Sequence, residues 1–347
     1  MPRVTVLMPV YNNANYLQQA IDSILSQTFD DFEFIIIDDA STDETSEIIK
    51  NNSDSRINYF QNKRNLGVAL TLNRGLELAK GEYIARFDGD DISYPTRLER
   101  QVDYMERHSD TGVVGSWYKL IWTKHRQVTI HQPWGSSSVK ATLCFRNPVC
   151  HSAAMIRKSV LEEHNLRYNN EFNRSEDYDL WIRISEFAEL DNLPEVLLKV
   201  RVRGDSVISS YPEQTKQQTY FLLQKELYKI GIDTSETEIK FHNDIGQGKR
   251  QAAKSDIIKA GNWLLKLYKQ NEKSRYYDPS GMEKALALIW FKLCSNSGNV
   301  GFFVWRYWKL FVLSQHYKPS SEELMVFALS IVWNGYFRRV LNKIVSS

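Results

Sequence analysis

Short apolar runs alternate with helical repeats along the first hundred residues. Val4 to Met8 is almost continuously apolar, the pattern of a strand buried on both faces. A polar turn, Tyr11-Asn12-Asn13, follows. Leu17, Ile21, Ile24 and Leu25 then recur at helical spacing, with Asn13 or Asn15 as the cap. Phe32 to Ile37 predicts a second buried strand that ends at Asp38-Asp39. Ser41, with Glu44 three residues on, predicts a capping box opening a helix through Ile48 and Ile49. Ile57 to Phe60 reads as a third strand, Val68 to Lys80 as a helix stopped by Gly81, and Tyr83 to Phe87 as a fourth strand. Pro95 suits the first turn of the next helix, which carries Leu98, Val102 and Met105. From Thr111 to about Arg203 the pattern is mixed, with shorter strands and one clear helix near Asp179 to Phe187. Beyond Ser210 it turns helical, so the expected division is a domain over residues 1–210 and a helical region over 211–347.

Alternating strands and helices predict an α/β fold with a mainly parallel, Rossmann-like sheet flanked by helices. In such sheets ligands gather beyond the carboxyl ends of the strands. The small polar and acidic residues fall there: Tyr11 and Asn13 after the first strand, Asp38 and Asp39 after the second, Asp88 to Asp91 after the fourth.

Composition narrows the class. Apolar residues make up 42% and charged residues 25%, ordinary globular values. A net charge of +2 makes no demand for a nucleic-acid partner. Three scattered cysteines, Cys144, Cys150 and Cys294, form neither a disulfide framework nor a zinc site and suit a reducing compartment. The N-terminus enters a strand directly, which predicts no secretory leader, and no apolar run approaches the ~20 residues of a membrane span. The expectation is a cytoplasmic protein, soluble or peripheral on the membrane face.

Three segments carry candidate chemistry. Asp88-Gly89-Asp90 can offer carboxylate oxygens to a hard cation, which would neutralise a diphosphate leaving group; read alone, a plain Asp-Gly turn is the commoner reading. It is not a calcium loop of the EF-hand type, because Ser93 stands where that loop needs glycine. Asp38-Asp39 can accept from a base ring nitrogen or a ribose hydroxyl, or can serve as a turn. Glu176 and Asp177 fall in the first turn of a helix, where the dipole favours ionised carboxylates suited to general-base work; ordinary N-terminal acidity is the alternative. A dinucleotide fingerprint, a Walker loop and a G-x-S-x-G elbow are absent from the sequence.

Together these segments resemble the family 2 glycosyltransferases of GT-A fold. The resemblance runs from Val4 to Ser209 through Pro9-Val10-Tyr11-Asn12, Asp38-Asp39 with Ser41-Thr42-Asp43, Arg64-Asn65-Leu66-Gly67, Gly81-Glu82-Tyr83-Ile84, Asp88-Gly89-Asp90-Asp91 and Glu176-Asp177. It implies a nucleotide-sugar donor, a UDP-sugar first, bound by Pro9, Tyr11, Asn13, Asp38, Asp39, Arg64, Asp88, Gly89 and Asp90. It implies Mn2+ or Mg2+ on Asp88 and Asp90, and an inverting displacement with Asp177, or Glu176 beside it, as base. Where the family often has a histidine two residues after an arginine, this chain has Arg203 two after Arg201, a candidate partner for the diphosphate. His151 also fits a family position.

The acceptor implied is a glycan or lipid-linked glycan of surface polysaccharide synthesis. Residues 301 onward carry six Lys and Arg against two Glu, with aromatics from Phe302 to Phe311. That stretch either lies on an anionic membrane or packs inward or against a second subunit. Two other classes stay open: a sugar nucleotidyltransferase, which should carry a glycine-rich loop where Asn12-Asn13 stands, and a catalytically silent nucleotide-sugar-binding scaffold.

Overall fold

The computed structural model describes residues 1–123, 126–172, 174–202 and 213–332. In chain order the elements are β1 (Val4–Val10), α1 (Ala14–Leu25), β2 (Phe32–Asp38), α2 (Thr45–Lys50), β3 (Ile57–Gln61), α3 (Val68–Leu78), β4 (Tyr83–Arg86), β5 (Ile92–Ser93), α4 (Arg97–Arg107), β6 (Thr111–Ile121), β7 (Gln127–Ile130), α5 (Ser136–Thr142), β8 (Met155–Arg157), α6 (Lys158–Glu163), α7 (Glu176–Ile184) and β9 (Glu189–Arg201). The helices α8 (Glu213–Lys229), α9 (Glu236–Gly246), α10 (Lys254–Ser274), α11 (Pro279–Asn296) and α12 (Phe302–Leu310) follow. The sheet runs β3-β2-β1-β4-β8-β6-β9-β5, with β7 on β6. Its first half is parallel; β8 is antiparallel to both β4 and β6, and β6 pairs parallel with β9.

The continuous apolar runs follow from burial on both faces. Val4, Val6, Met8 and Val10 pack with Leu17, Ile21 and Ile24 of α1 and with Leu98 and Val102 of α4. Leu7 points the other way onto α3, where a Cβ on Gly75 would fall 2.2 Å from its Cδ1. Each such buried leucine contributes about 2 kcal/mol, so one strand ties two helical layers together. Strand order reverses at β1, with β2 added on one side and the parallel β4 on the other, which opens a crevice beyond their carboxyl ends.

Three local expectations change. The Ser41/Glu44 capping box does not form: α2 starts at Thr45, Ser41 Oγ accepts from the Asn12 N–H and the Ser41 N–H goes to Asp38. Gly81 does not end α3, which stops at Leu78; a Cβ there would lie 2.4 Å from the Thr5 backbone nitrogen, so glycine is required for close approach to β1. Pro95 precedes α4 rather than sitting in its first turn.

The chain forms two compact units: Met1–Ser136 with Asn147–Thr219, and Ser137–Arg146 with the helices from Tyr220 on. The expected boundary at residue 210 lies outside the described residues. In the second unit buried His242 accepts at Nδ1 from the Trp263 indole N–H, so its Nε2–H donates to the Cys144 carbonyl at 2.7 Å and the ring is neutral. Of the 302–311 stretch, Val304 and Trp308 are buried and Trp308 packs on Phe291 and Phe327, whereas Phe302 and Leu310 face solvent. Among the described residues no helix is long and apolar enough to cross a membrane.

Candidate active site

The end of β1 is fastened to the loop after β2. Asn12 adopts a left-handed φ of 49°; its side-chain oxygen accepts from the Thr42 N–H, the Asn13 N–H donates to Thr45 Oγ1 and the Ala14 N–H donates to Asp43. Asn13 stands at the cap of α1, but its side chain makes no cap hydrogen bond. It lies against Gly89 instead: a Cβ on Gly89 would fall 2.7 Å from Asn13 Nδ2 and from Val10 Cγ1. Glycine between the two aspartates therefore lets the acidic turn close onto the end of β1. Pro9 is half-buried and Tyr11 exposed at the same strand end.

The two aspartates after β2 have separate duties. Asp38 is fully buried, with Oδ1 accepting from the Ser41 N–H and Oδ2 from Tyr59 and Gln61. Asp39 holds the loop before α3: Oδ1 accepts from the Leu66 N–H at 2.9 Å and from Asn62, and Oδ2 from the Gly67 N–H at 2.9 Å. Arg64 is exposed on that loop. Asn65 to Ala69, with Asn170 and Glu176, line a cleft of about 240 Å³.

The acidic turn follows β4. Asp88 pairs with buried Arg86, and its N–H donates to Ser152 Oγ at 3.0 Å. Carboxylate oxygens of Asp88, Asp90 and Asp91 lie within 4.8 Å of one another, and Asp91 Oδ2 is buried with no hydrogen-bond partner among the described residues. Burial, then the charges of Asp88 and Asp90, push the Asp91 carboxyl well up, a cost that a cation would relieve. Three clustered carboxylates fit a hard ion such as Mg2+ or Mn2+. Arg201 braces the turn: its backbone N–H donates to Asp91 Oδ1, its Nε donates to the Asp90 carbonyl at 3.0 Å, and its guanidinium lies over Tyr16. Arg203 lies outside the described residues.

Glu176 and Asp177 open α7. Asp177 Oδ2 accepts from Asn147 Nδ2 at 2.7 Å and Oδ1 from the Tyr178 N–H; Asn147 Oδ1 in turn accepts from the Val149 N–H, which fixes the amide's orientation. Glu176 is buried at the cleft, and its Oε2 has no hydrogen-bond partner among the described residues. Burial, then the Asp177 charge, pushes Glu176 up to about 7; burial pushes Asp177 up to about 6, against the pull of the Tyr178 N–H, Arg86 and Asn147. Such carboxyls titrate as a pair. The Arg86 charge acts on both of them and the Asp88 charge on Glu176, so the acidic turn and the raised pair belong to one electrostatic site. His151 packs beside it, with Nε2 3.0 Å from the Tyr168 hydroxyl and its ring edge-on to Trp181; burial, then Arg86, keeps it neutral.

The sequence alone assigns no role to Asp91, Arg86, Asn147 or Ser152. The four consecutive positions of Asp88-Gly89-Asp90-Asp91 were a signal for the first; the Asn147-Pro148 dipeptide was a faint one for the third.

Comparison with known proteins gives the arrangement its family. The model of "Glycosyl transferase family 2" matches residues 5–164. An uncharacterised glycosyltransferase of Haemophilus influenzae is 34% identical over 67% of this chain and 76% of its own length, and the Bacillus subtilis protein EpsE is 38% identical over 59% and 75%. Staphylococcus aureus TarS, solved with UDP and with UDP-GlcNAc, shares the fold at TM-score 0.53 and 16–17% identity, over 90% of this chain and 89% of that one. A mannosyltransferase of Pyrobaculum calidifontis, solved with GDP-Man and Mn2+, aligns at TM-score 0.50 and 15% identity, over 96% of this chain and 88% of that one. With a mixed α/β sheet of GT-A type, an acidic turn at its switch point and these relatives, the chain belongs to glycosyl transferase family 2 and is a glycosyltransferase.

Proposed function

We propose that the enzyme moves a sugar from a nucleotide-sugar donor, a UDP-sugar first, to a hydroxyl of a glycan or lipid-linked acceptor with inversion at the anomeric carbon. The observation that carries this reading is a three-carboxylate turn after β4, ion-paired to buried Arg86, together with the Glu176-Asp177 carboxyl pair that opens α7.

In this reading Pro9, Tyr11, Asn13, Asp39 and Arg64 surround the nucleotide, and Asp88, Asp90 and Asp91 hold a divalent ion. When bound, the ion supplies charge neutralisation for the diphosphate. Asp177 takes the proton from the acceptor hydroxyl. The acceptor oxygen bonds to the anomeric carbon as the bond to the diphosphate oxygen breaks, and that electron pair leaves with the nucleoside diphosphate. Burial holds the Asp177 carboxyl above the usual carboxylate range, which makes its ionised form a better proton acceptor. Glu176, beside it in the cleft, faces the reacting sugars.

The solved relatives TarS and the Pyrobaculum enzyme, holding UDP-GlcNAc and GDP-Man with Mn2+, support donor and metal by likeness of fold. On α12, Phe302, Arg306, Lys309 and Leu310 share one exposed face, which favours a peripheral contact with an anionic membrane. Flotation with anionic liposomes tests that contact, and a protein left in the soluble fraction removes it. Thermal-shift titration with UDP-, GDP-, CDP- and dTDP-sugars, each with Mn2+ or chelator, tests the donor reading. A metal-dependent shift with one nucleotide class is expected; no shift with any class overturns it.

A further inference from the structure

Trp134 is the one exposed tryptophan among the described residues, at 62% exposure. An indole held in water by a rigid segment presents its ring face for stacking. The segment is rigid by its hydrogen bonds. The Gln132 carbonyl accepts from the Trp117 indole N–H at 2.9 Å, the Pro133 carbonyl accepts from Asn192 Nδ2 at 2.8 Å, and the Gly135 N–H donates to Asp191 Oδ1 at 2.7 Å. Pro133 is buried, and Gly135 has a left-handed φ of 83° that no side chain adopts easily. The backbone is thus held on both sides of Trp134, and its indole is exposed because the loop presents it.

The same anchor leads to the base. Asn192 Nδ2 also donates to the Pro148 carbonyl at 3.0 Å, and Pro148 directly follows Asn147, whose amide holds Asp177. Room for the Asn192 amide comes from Gly115, where a Cβ would fall 2.2 Å from Asn192 Oδ1. One buried amide therefore clamps the Trp134 loop and the base-holding loop together, with both carbonyl oxygens within 3.0 Å of a single nitrogen.

We propose that Trp134 is the platform of an acceptor subsite that takes the C–H face of a hexopyranose ring. The inference rests on the glycosyltransferase reading with Asp177 as base. The chemistry is direct: one face of a pyranose presents weakly positive C–H groups, and the indole face is the negative pole of its quadrupole. Tryptophan gives this area with two rotatable bonds, so little entropy is lost on binding. The sugar stacks on Trp134 while a hydroxyl of that residue or its neighbour reaches Asp177.

Saturation-transfer NMR on the full chain, with methyl glycosides of glucose, galactose, mannose and N-acetylglucosamine as probes, tests this. At least one pyranoside should bind the wild type. Trp134→Ala should weaken it about tenfold or more, and Trp134→Phe should stay within about threefold of the wild type. Nucleotide-sugar binding by thermal shift should be equal in all three proteins. Failure of every pyranoside to bind, or equal pyranoside binding by Trp134→Ala, overturns the proposal. Absence of nucleotide-sugar binding in the wild type overturns the underlying reading instead, so the two failures are told apart.

Discussion

Replacing Asn147 with alanine isolates the tuning of the base. The substitution removes one charge-assisted hydrogen bond, Nδ2 to Asp177 Oδ2 at 2.7 Å, and leaves the Tyr178 N–H on the other oxygen. A hydrogen bond to a charged group is worth about 1.5–3 kcal/mol, and 1.36 kcal/mol corresponds to one pKa unit. Because the Tyr178 N–H still holds the other carboxylate oxygen, the lower end applies, about one unit. The sign follows from which form the donor favours. Asn147 stabilises the ionised carboxylate, so its loss raises the pKa, and the active base form appears only at higher pH. The acidic limb of kcat against pH should move up by about one unit, while turnover well above the limb recovers to within a few-fold of the wild type. The assay is initial-rate release of nucleoside diphosphate between pH 5 and 9, flanking the values near 6 and 7 of the pair. A limb that stays in place, with turnover reduced equally at every pH, would refute the tuning argument and leave Asn147 a structural residue.

Other perturbations read other parts of the account. Gly81→Ala drives a methyl against the Thr5 backbone nitrogen, and urea unfolding should show a loss of about 1–3 kcal/mol; unchanged stability would contradict the close approach. Asp39→Ala orphans the Leu66 and Gly67 N–H groups, so hydrogen exchange at both should speed up by tenfold or more, on the order of one lost hydrogen bond each. Asp91→Asn removes a charge from the three-carboxylate turn and should weaken Mn2+ binding about tenfold or more by calorimetry, whereas equal affinity takes Asp91 out of the ion site.

The parallel half of the sheet was legible because strands buried on both faces write themselves as apolar runs. Val4 to Val10 and Phe32 to Asp38 differ from their expected limits only at the carboxyl ends. The glycosyltransferase reading was legible for the same reason: the polar residues that break those runs at Tyr11, Asp38-Asp39 and Asp88 to Asp91 are the residues of the crevice. What stayed hidden depends on tertiary contact. Ser41 has the spacing of a cap, but its hydroxyl is engaged by Asn12, and Gly81 has the look of a helix stop because the strand it must approach is 76 residues away. Asn147 and Asn192 carry no periodicity at all; their amides matter only once loops distant in sequence meet. The long β6–β9 pairing was blurred by register shifts near Ser116 and Trp117, which break the period of two.

In the proposed reaction Asp177 and the acidic turn act on one nucleotide sugar by a single displacement. Proton NMR of the first-formed product, using the donor that thermal shift selects, tests it most directly in the wild type and in Asp177→Asn. The expected product has the opposite anomeric configuration to the donor, with turnover reduced about 10²–10⁴-fold in Asp177→Asn and donor affinity unchanged. A product of retained configuration, or near-normal turnover in Asp177→Asn, would contradict it.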